Sequence, residues 1–154
     1  RPGTFLIVLG DMFESMVRAG FRNIVVVNGH GGNIEPIHGA WDQFLRQFEA
    51  TNLHFLSYWD TLSQVDADEL LRGGKRLPDD LPGHAQEFET SVALAKFPEN
   101  VRTGAVADQR DPNPALATAE QGSVWFERMT ERLAEFVGEV IDGQRQSETP
   151  SYHP

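Results

Sequence analysis

Two short stretches of this chain hold the residue types from which chemistry could be built. The first is Asn28-Gly29-His30-Gly31-Gly32-Asn33. It follows Ile24-Val25-Val26-Val27, a β-branched run that reads as a buried strand. The glycine-rich turn therefore falls at a strand's C-terminal end, where open α/β sheets present ligand-binding loops. Its glycines permit a sharp turn and a close backbone approach to a ligand. His30 can then offer an imidazole as metal ligand or base. The alternative is a glycine turn whose histidine merely caps the next helix. A phosphate-binding loop is disfavoured, because the lysine and the Ser/Thr of the P-loop pattern are missing.

The second stretch is Gly83-His84-Ala85-Gln86-Glu87-Phe88-Glu89-Thr90-Ser91. A helix starting near Ala85 puts Glu87 and Glu89 in its first turns, where the helix dipole favours negative charge whether or not there is catalysis. The two carboxylates stand about 200° apart around the helix, two steps of about 100°. Only one can face a given site; the other faces solvent or a neighbouring chain. Ser57-Tyr58-Trp59-Asp60 ends a second predicted strand. Trp59 can serve there as a flat wall for a planar substrate or as an ordinary core tryptophan. His38 and His54 read as structural, His153 as exposed, and Asp11 and Glu14 as a solvated helix face. Arg76, Arg102 and Arg110 could hold a carboxylate or hydroxyl-rich ligand, or simply be solvated. No G-x-S-x-G elbow supports Ser/His/Asp catalysis.

The elements that must position these residues follow from periodicity. Leu6, Leu9, Phe13, Met16 and Val17 recur at helical spacing, with Thr4 as a candidate N-cap and Gly20 as the stop. A second helix carries Pro36 in its first turn and Ile37, Trp41, Phe44, Leu45 and Phe48 on its apolar face. A strand over 53–58 comes next, and strand–loop–helix–strand order predicts a parallel sheet covered by helices. Gly73-Gly74, Pro78 and Pro82 mark an irregular stretch, a helix over 85–96 stops at Pro98, and 108–114 reads as a loop. The last helix, 117–141, carries Phe126, Met129, Leu133, Phe136, Val137 and Val140 on one stripe. Residues 1–143 thus read as one domain and 144–154 as a loose or partner-dependent tail.

Composition bounds the function. The chain has 154 residues, is 40% hydrophobic and carries a formal charge of -10, with a pI near 4.8. Such acidity argues against nucleic acid and anionic membranes as partners. With no cysteine there is no disulfide, zinc ribbon or thiol nucleophile, which fits the cytoplasm. No apolar run approaches the ~20 residues needed to span a bilayer. No export signal is legible, and the lack of an initiating methionine suggests a processed or partial chain.

Taken together, Gly20-Phe21-Arg22-Asn23-Ile24-Val25-Val26-Val27-Asn28-Gly29-His30-Gly31-Gly32-Asn33, then Gly83-His84-Ala85 with Glu89-Thr90-Ser91, then Pro98-Glu99, resemble the creatininase (creatinine amidohydrolase) family. Ala117-Thr118-Ala119-Glu120-Gln121-Gly122 resembles the family's closing helix. The resemblance implies an α/β fold, a three-layer α/β/α domain around a mostly parallel sheet. It implies two divalent metal ions (Zn, Mn or Fe), a small-molecule substrate, and a homo-oligomer, commonly a hexamer. The implied activity is hydrolysis of a C–N bond, cyclic amide or amidine-like, through a metal-activated water. One branch instead hydrolyses a cyclic inositol-derived ketone. By the same resemblance His30 and Glu89 are metal ligands, His84 is the catalytic proton-transfer histidine, and Trp59, Gly31, Gly32 and Asn33 line the substrate.

Two departures from the family pattern carry weight. Gly32 stands where creatininase itself has a metal-binding glutamate, which points to a Gly-Gly branch and away from creatinine. No Glu-x-His motif with a following Asp precedes residue 20, so the N-terminal part of the fold is expected to be missing. A further segment or chain would then supply the remaining ligands. The rival expectation is a non-catalytic fragment or subunit, since two protein ligands cannot by themselves hold a two-metal cluster.

Overall fold

The β-branched run forms strand β1, Asn23–Asn28, which pairs in parallel with β2, Asn52–Ser57. The register runs from Asn23 opposite Asn52 to Asn28 opposite Ser57. This computed structural model describes residues 1–73, 81, 83–106, 110 and 112–150. Gly74, Arg76, Pro78, Pro82, Asp108 and His153, singled out above, lie outside the described residues. The sequence reads as one domain; the chain forms two compact units, Arg1–Tyr58 with Ala134–Pro154, and Trp59–Leu133.

In the first unit, helix α1 (Pro2–Arg18) and helix α2 (Ile34–Gln47) pack with the two strands. Pro2 opens α1, so the helix begins ahead of Thr4; Arg1, not Thr4, holds the capping position. A proline in the first turn costs nothing, because its missing N–H would be unpaired there anyway. Phe13, 1% exposed, is the centre of the core. It meets Phe44, Phe48 and Trp41 edge-on at centroid distances of 5.2, 5.8 and 6.2 Å. Leu9, Ile24, Ile37, Leu45 and Leu53 close around it. Full burial of each such side chain is worth about 1.5–3 kcal/mol, so the parallel pair is fixed mainly by this shared core.

Residues 145–147, within the segment that reads as a loose tail, are bonded to the fold. Ser147 donates its N–H to Asn52 Oδ1 (2.7 Å) and its Oγ accepts the N–H of Leu53 (3.1 Å). Asn52 Nδ2 in turn donates to the Arg145 carbonyl (2.9 Å). One asparagine side chain, offering both a donor and an acceptor, thus binds residues 145–147 to the start of β2.

The second unit contains helices α3 (Gln64–Leu70), α4 (Glu87–Lys96) and α5 (Thr103–Val106). It also holds the part of helix α6 (Ala119–Ile141) up to Leu133. Helix α3 lies where the sequence reading places no element, between the second strand and the irregular stretch at Gly73, and it starts with a capping box between Ser63 and Asp66. Trp125, fully buried, packs edge-on against Phe88 at 5.1 Å. Among the described residues no helix is long and apolar enough to cross a membrane.

Candidate metal and catalytic site

Asn28 ends β1 and is 4% exposed, so its amide must find partners inside the fold. It finds four. Nδ2 donates to Ser57 Oγ (3.0 Å) on the paired strand and to the His30 carbonyl (3.0 Å). Oδ1 accepts the His30 N–H (3.2 Å) and Asn33 Nδ2 (3.2 Å). Both amide atoms of Asn28 are thereby spent on the turn that carries His30. The result is a rigid loop at the strand end, with the exposed His30 ahead of a 3-10 turn over Gly31–Asn33.

This arrangement changes the reading of its neighbours. The Asn33 side chain binds Asn28, and Gly32 sits under the His30 ring, where a Cβ would come within 2.7 Å of Nε2. Both residues build the turn, whatever else they touch. His38 and His54 meet Phe55 and Phe136 edge-on at 5.8 and 5.6 Å. Burial holds the His54 pKa below its ordinary value, against a backbone hydrogen bond to Arg145 that acts to raise it and with the Arg145 charge acting to lower it. Its Nε2 lies 2.8 Å from Asn52 Oδ1.

Trp59, His84 and Glu89 lie in the second unit. Trp59 is 4% exposed, which places it with the core side chains rather than on an open wall. His84 is exposed in the turn before α4, between two residues in left-handed backbone, Gly83 (φ 58°) and Ala85 (φ 51°). Ala85 donates its N–H to Glu89 Oε2 at 2.6 Å, and its carbonyl accepts Thr90 Oγ1 at 3.1 Å. An alanine in this region is strained by about 1–2 kcal/mol, and here the strain aims a backbone donor at the carboxylate.

The two glutamates diverge as the helix geometry requires, but Glu87 turns into the fold, not to the solvent or neighbouring chain expected of the second carboxylate. Glu87, 1% exposed, accepts the backbone N–H groups of Arg72 (2.7 Å) and Gly73 (3.0 Å) and fastens that turn. Glu89 faces a cavity of about 360 Å³. Glu87 is therefore a structural carboxylate, and Glu89 is the one available to a ligand.

Imidazole nitrogen and carboxylate oxygen are both suitable donors for a divalent ion. Among the described residues no three His, Asp or Glu side chains gather into a group that could hold one. His30 in the first unit and Glu89 in the second each offer one such donor, and a single donor falls short of the four that a structural zinc takes. The organising role of Asn28 went unread in the sequence. Its signal was present, an asparagine at the junction of a strand and a glycine turn, where such side chains bond to backbone two residues on.

Comparison with known proteins adds the following. The creatininase family model, described as creatinine amidohydrolase, matches residues 1–115. The creatinine amidohydrolase of Pseudomonas putida is 31% identical over 103 residues, covering 64% of this chain and 39% of that protein. A crystal structure of creatinine amidohydrolase (creatininase) aligns with a TM-score of 0.74 at 24% identity, over 90% of this chain and 64% of that one. A mutant creatininase of Zn-Zn type and a creatininase with Mn give TM-scores of 0.71 and 0.70 at the same identity and coverage. The chain spans less than two thirds of the length of these relatives, and at such identity the structural likeness shows a shared α/β fold.

Proposed function

Because the chain belongs to the creatininase family of creatinine amidohydrolases, we propose that it is part of a metal-dependent hydrolase cleaving a C–N bond in a small polar molecule. The observation that carries this reading is the hold on His30: Asn28 and Gly32 spend their own chemistry on presenting its imidazole at a strand's C-terminal end. His30 and Glu89 would each hold a divalent ion, zinc or manganese by analogy with the solved relatives. When bound, such ions supply Lewis acidity toward the scissile carbonyl and toward water.

The chain's own residues do the rest. Ala85 fixes Glu89 through a 2.6 Å bond, and the exposed His84 beside it passes a proton to the leaving nitrogen. Gly31, Gly32 and Asn33 border the substrate through the turn that they build. The remaining metal ligands come from protein beyond these 154 residues, in keeping with the 39% coverage of the curated relative. The working form is a cytoplasmic homo-oligomer. Gly32, in place of a glutamate, sets creatinine aside as the substrate.

The test is hydrolysis of a panel of cyclic amides and N-formyl compounds by the full-length protein, before and after exhaustive chelation. Chelation should abolish the rate and zinc or manganese restore it, and His84→Ala should lower turnover by about 100-fold. A rate untouched by chelation would overturn the reading. A non-catalytic subunit is the alternative that two donors alone would favour; it predicts no hydrolysis with or without metal.

A further inference from the structure

The cavity that Glu89 faces belongs wholly to the second unit, between α4 and the chain from Asn100 to Val106. Its volume, about 360 Å³, falls in the range of small-molecule sites. It is open because its walls carry small side chains: Ala85 and Ala93 on the α4 side and Ala105 on α5. Arg102 also lines it. That guanidinium is exposed and makes no ion pair among the described residues, in a chain where 23 acidic residues outnumber 13 basic ones. Arginine's planar fork matches a carboxylate geometrically, and the pairing is among the stronger hydrogen-bonded contacts.

A second observation converges on the same cavity. Ala85 is the one non-glycine residue with a left-handed backbone among the described residues. Strain of this kind persists where the surrounding structure holds it, and it collects at ligand sites. Here it lies on the cavity wall and fixes Glu89.

We propose that this cavity is the recognition pocket of the substrate and that it takes a small molecule bearing a carboxylate, held by Arg102. The placement of the scissile C–N bond toward Glu89 rests on the hydrolase reading above; the binding of the carboxylate does not. Arg102 is the cationic side chain among the described residues that line the cavity, so the ligand's charge sits at the Arg102 end. A neutral ring such as creatinine would offer Arg102 no carboxylate.

The probes are N-acetylglycine and its uncharged N-methylamide, titrated calorimetrically into the full-length protein. The acid should bind about tenfold more tightly or better, as expected for a hydrogen-bonded charge pair. Arg102→Gln, at an exposed position that leaves the fold intact, should remove that preference and leave the amide within about twofold of its original affinity. Arg102→Lys should keep part of the preference, and Ala93→Leu should weaken both probes by filling the cavity. Equal binding of the two probes, a preference that survives Arg102→Gln, or no binding of either in the millimolar range would overturn the proposal. Selective binding without metal-dependent hydrolysis keeps the pocket and discards the hydrolase. Metal-dependent hydrolysis without the preference does the reverse.

Discussion

The imidazole of His30 rests directly over Gly32: a Cβ added at Gly32 would stand 2.7 Å from Nε2 and 3.1 Å from Cδ2 of the ring. The backbone of Gly32 lies outside the left-handed region, so alanine meets no torsional barrier there. The obstacle is the far end of a side chain that can swing away. Gly32→Ala should therefore leave unfolding stability within about 1 kcal/mol of the parent while turning His30 out of its present position. In the full-length protein, metal content and kcat should both fall, kcat by about tenfold or more, since small misplacements of a positioned group are costly. Unchanged metal content and turnover would show that the observed His30 orientation is not the working one.

What was legible in the sequence and what was not divides along the range of the forces involved. Strand β1 and the turn after it could be read because β-branching and glycine chemistry act locally. The same holds for the divergence of Glu87 and Glu89, a matter of helix geometry alone. Which glutamate turns inward was not legible, because the backbone N–H groups of Arg72 and Gly73, 15 and 14 residues away, decide it. The Ser63 and Asp66 capping box was readable but marks a helix of only 7 residues, too short to show an apolar period. Residues 145–147 look like loose chain until Asn52, 95 residues away from Ser147, is seen to bond them. Trp59 kept two readings open until its burial was known.

Helix α6 approaches α4 more closely than any side chain would allow at Gly122. An added Cβ would fall 1.8 Å from the Ser91 carbonyl oxygen and 2.3 Å from its carbon, both backbone atoms that cannot rotate away. Ser91 locks the approach, donating from Oγ to the Glu87 carbonyl (2.6 Å) and accepting the Thr118 N–H (3.2 Å). Gly122→Ala should thus destabilise the full-length protein by about 3 kcal/mol, at the upper end of overpacking costs. Gly138→Ala, on the same helix with nothing within 4 Å of the new carbon, should instead stabilise by about 0.5–1 kcal/mol, since alanine is the better helix former. Denaturant unfolding of both variants checks the contrast; equal and small effects would mean that the two helices can slide apart without penalty.

Asp66 supplies the pH dependence. Its side chain, 3% exposed, accepts two bonds from Arg132 (2.6 and 2.9 Å), one from Arg128 (2.9 Å) and two from Ser63 (both 2.7 Å). Arg132 above all, with Ser63 and Arg128, holds the carboxyl well below the usual carboxylate range, outweighing burial, which acts the other way. The folded pKa is depressed, so the stabilisation is complete above the unfolded value of about 3.9 and is lost as pH falls from there toward the folded value. Asp66→Asn keeps the shape and removes the charge. It should cost about 1–3 kcal/mol at neutral pH, below the full penalty of a broken buried pair, because Arg128 and Arg132 are 26% and 37% exposed and can rehydrate. The difference in unfolding free energy between the two proteins isolates Asp66, since every other carboxylate is present in both. That difference should stay flat from about pH 8 to pH 5 and shrink below about pH 4. A gap that holds constant down to about pH 2, or widens, would remove Asp66 from the acid response of this unit.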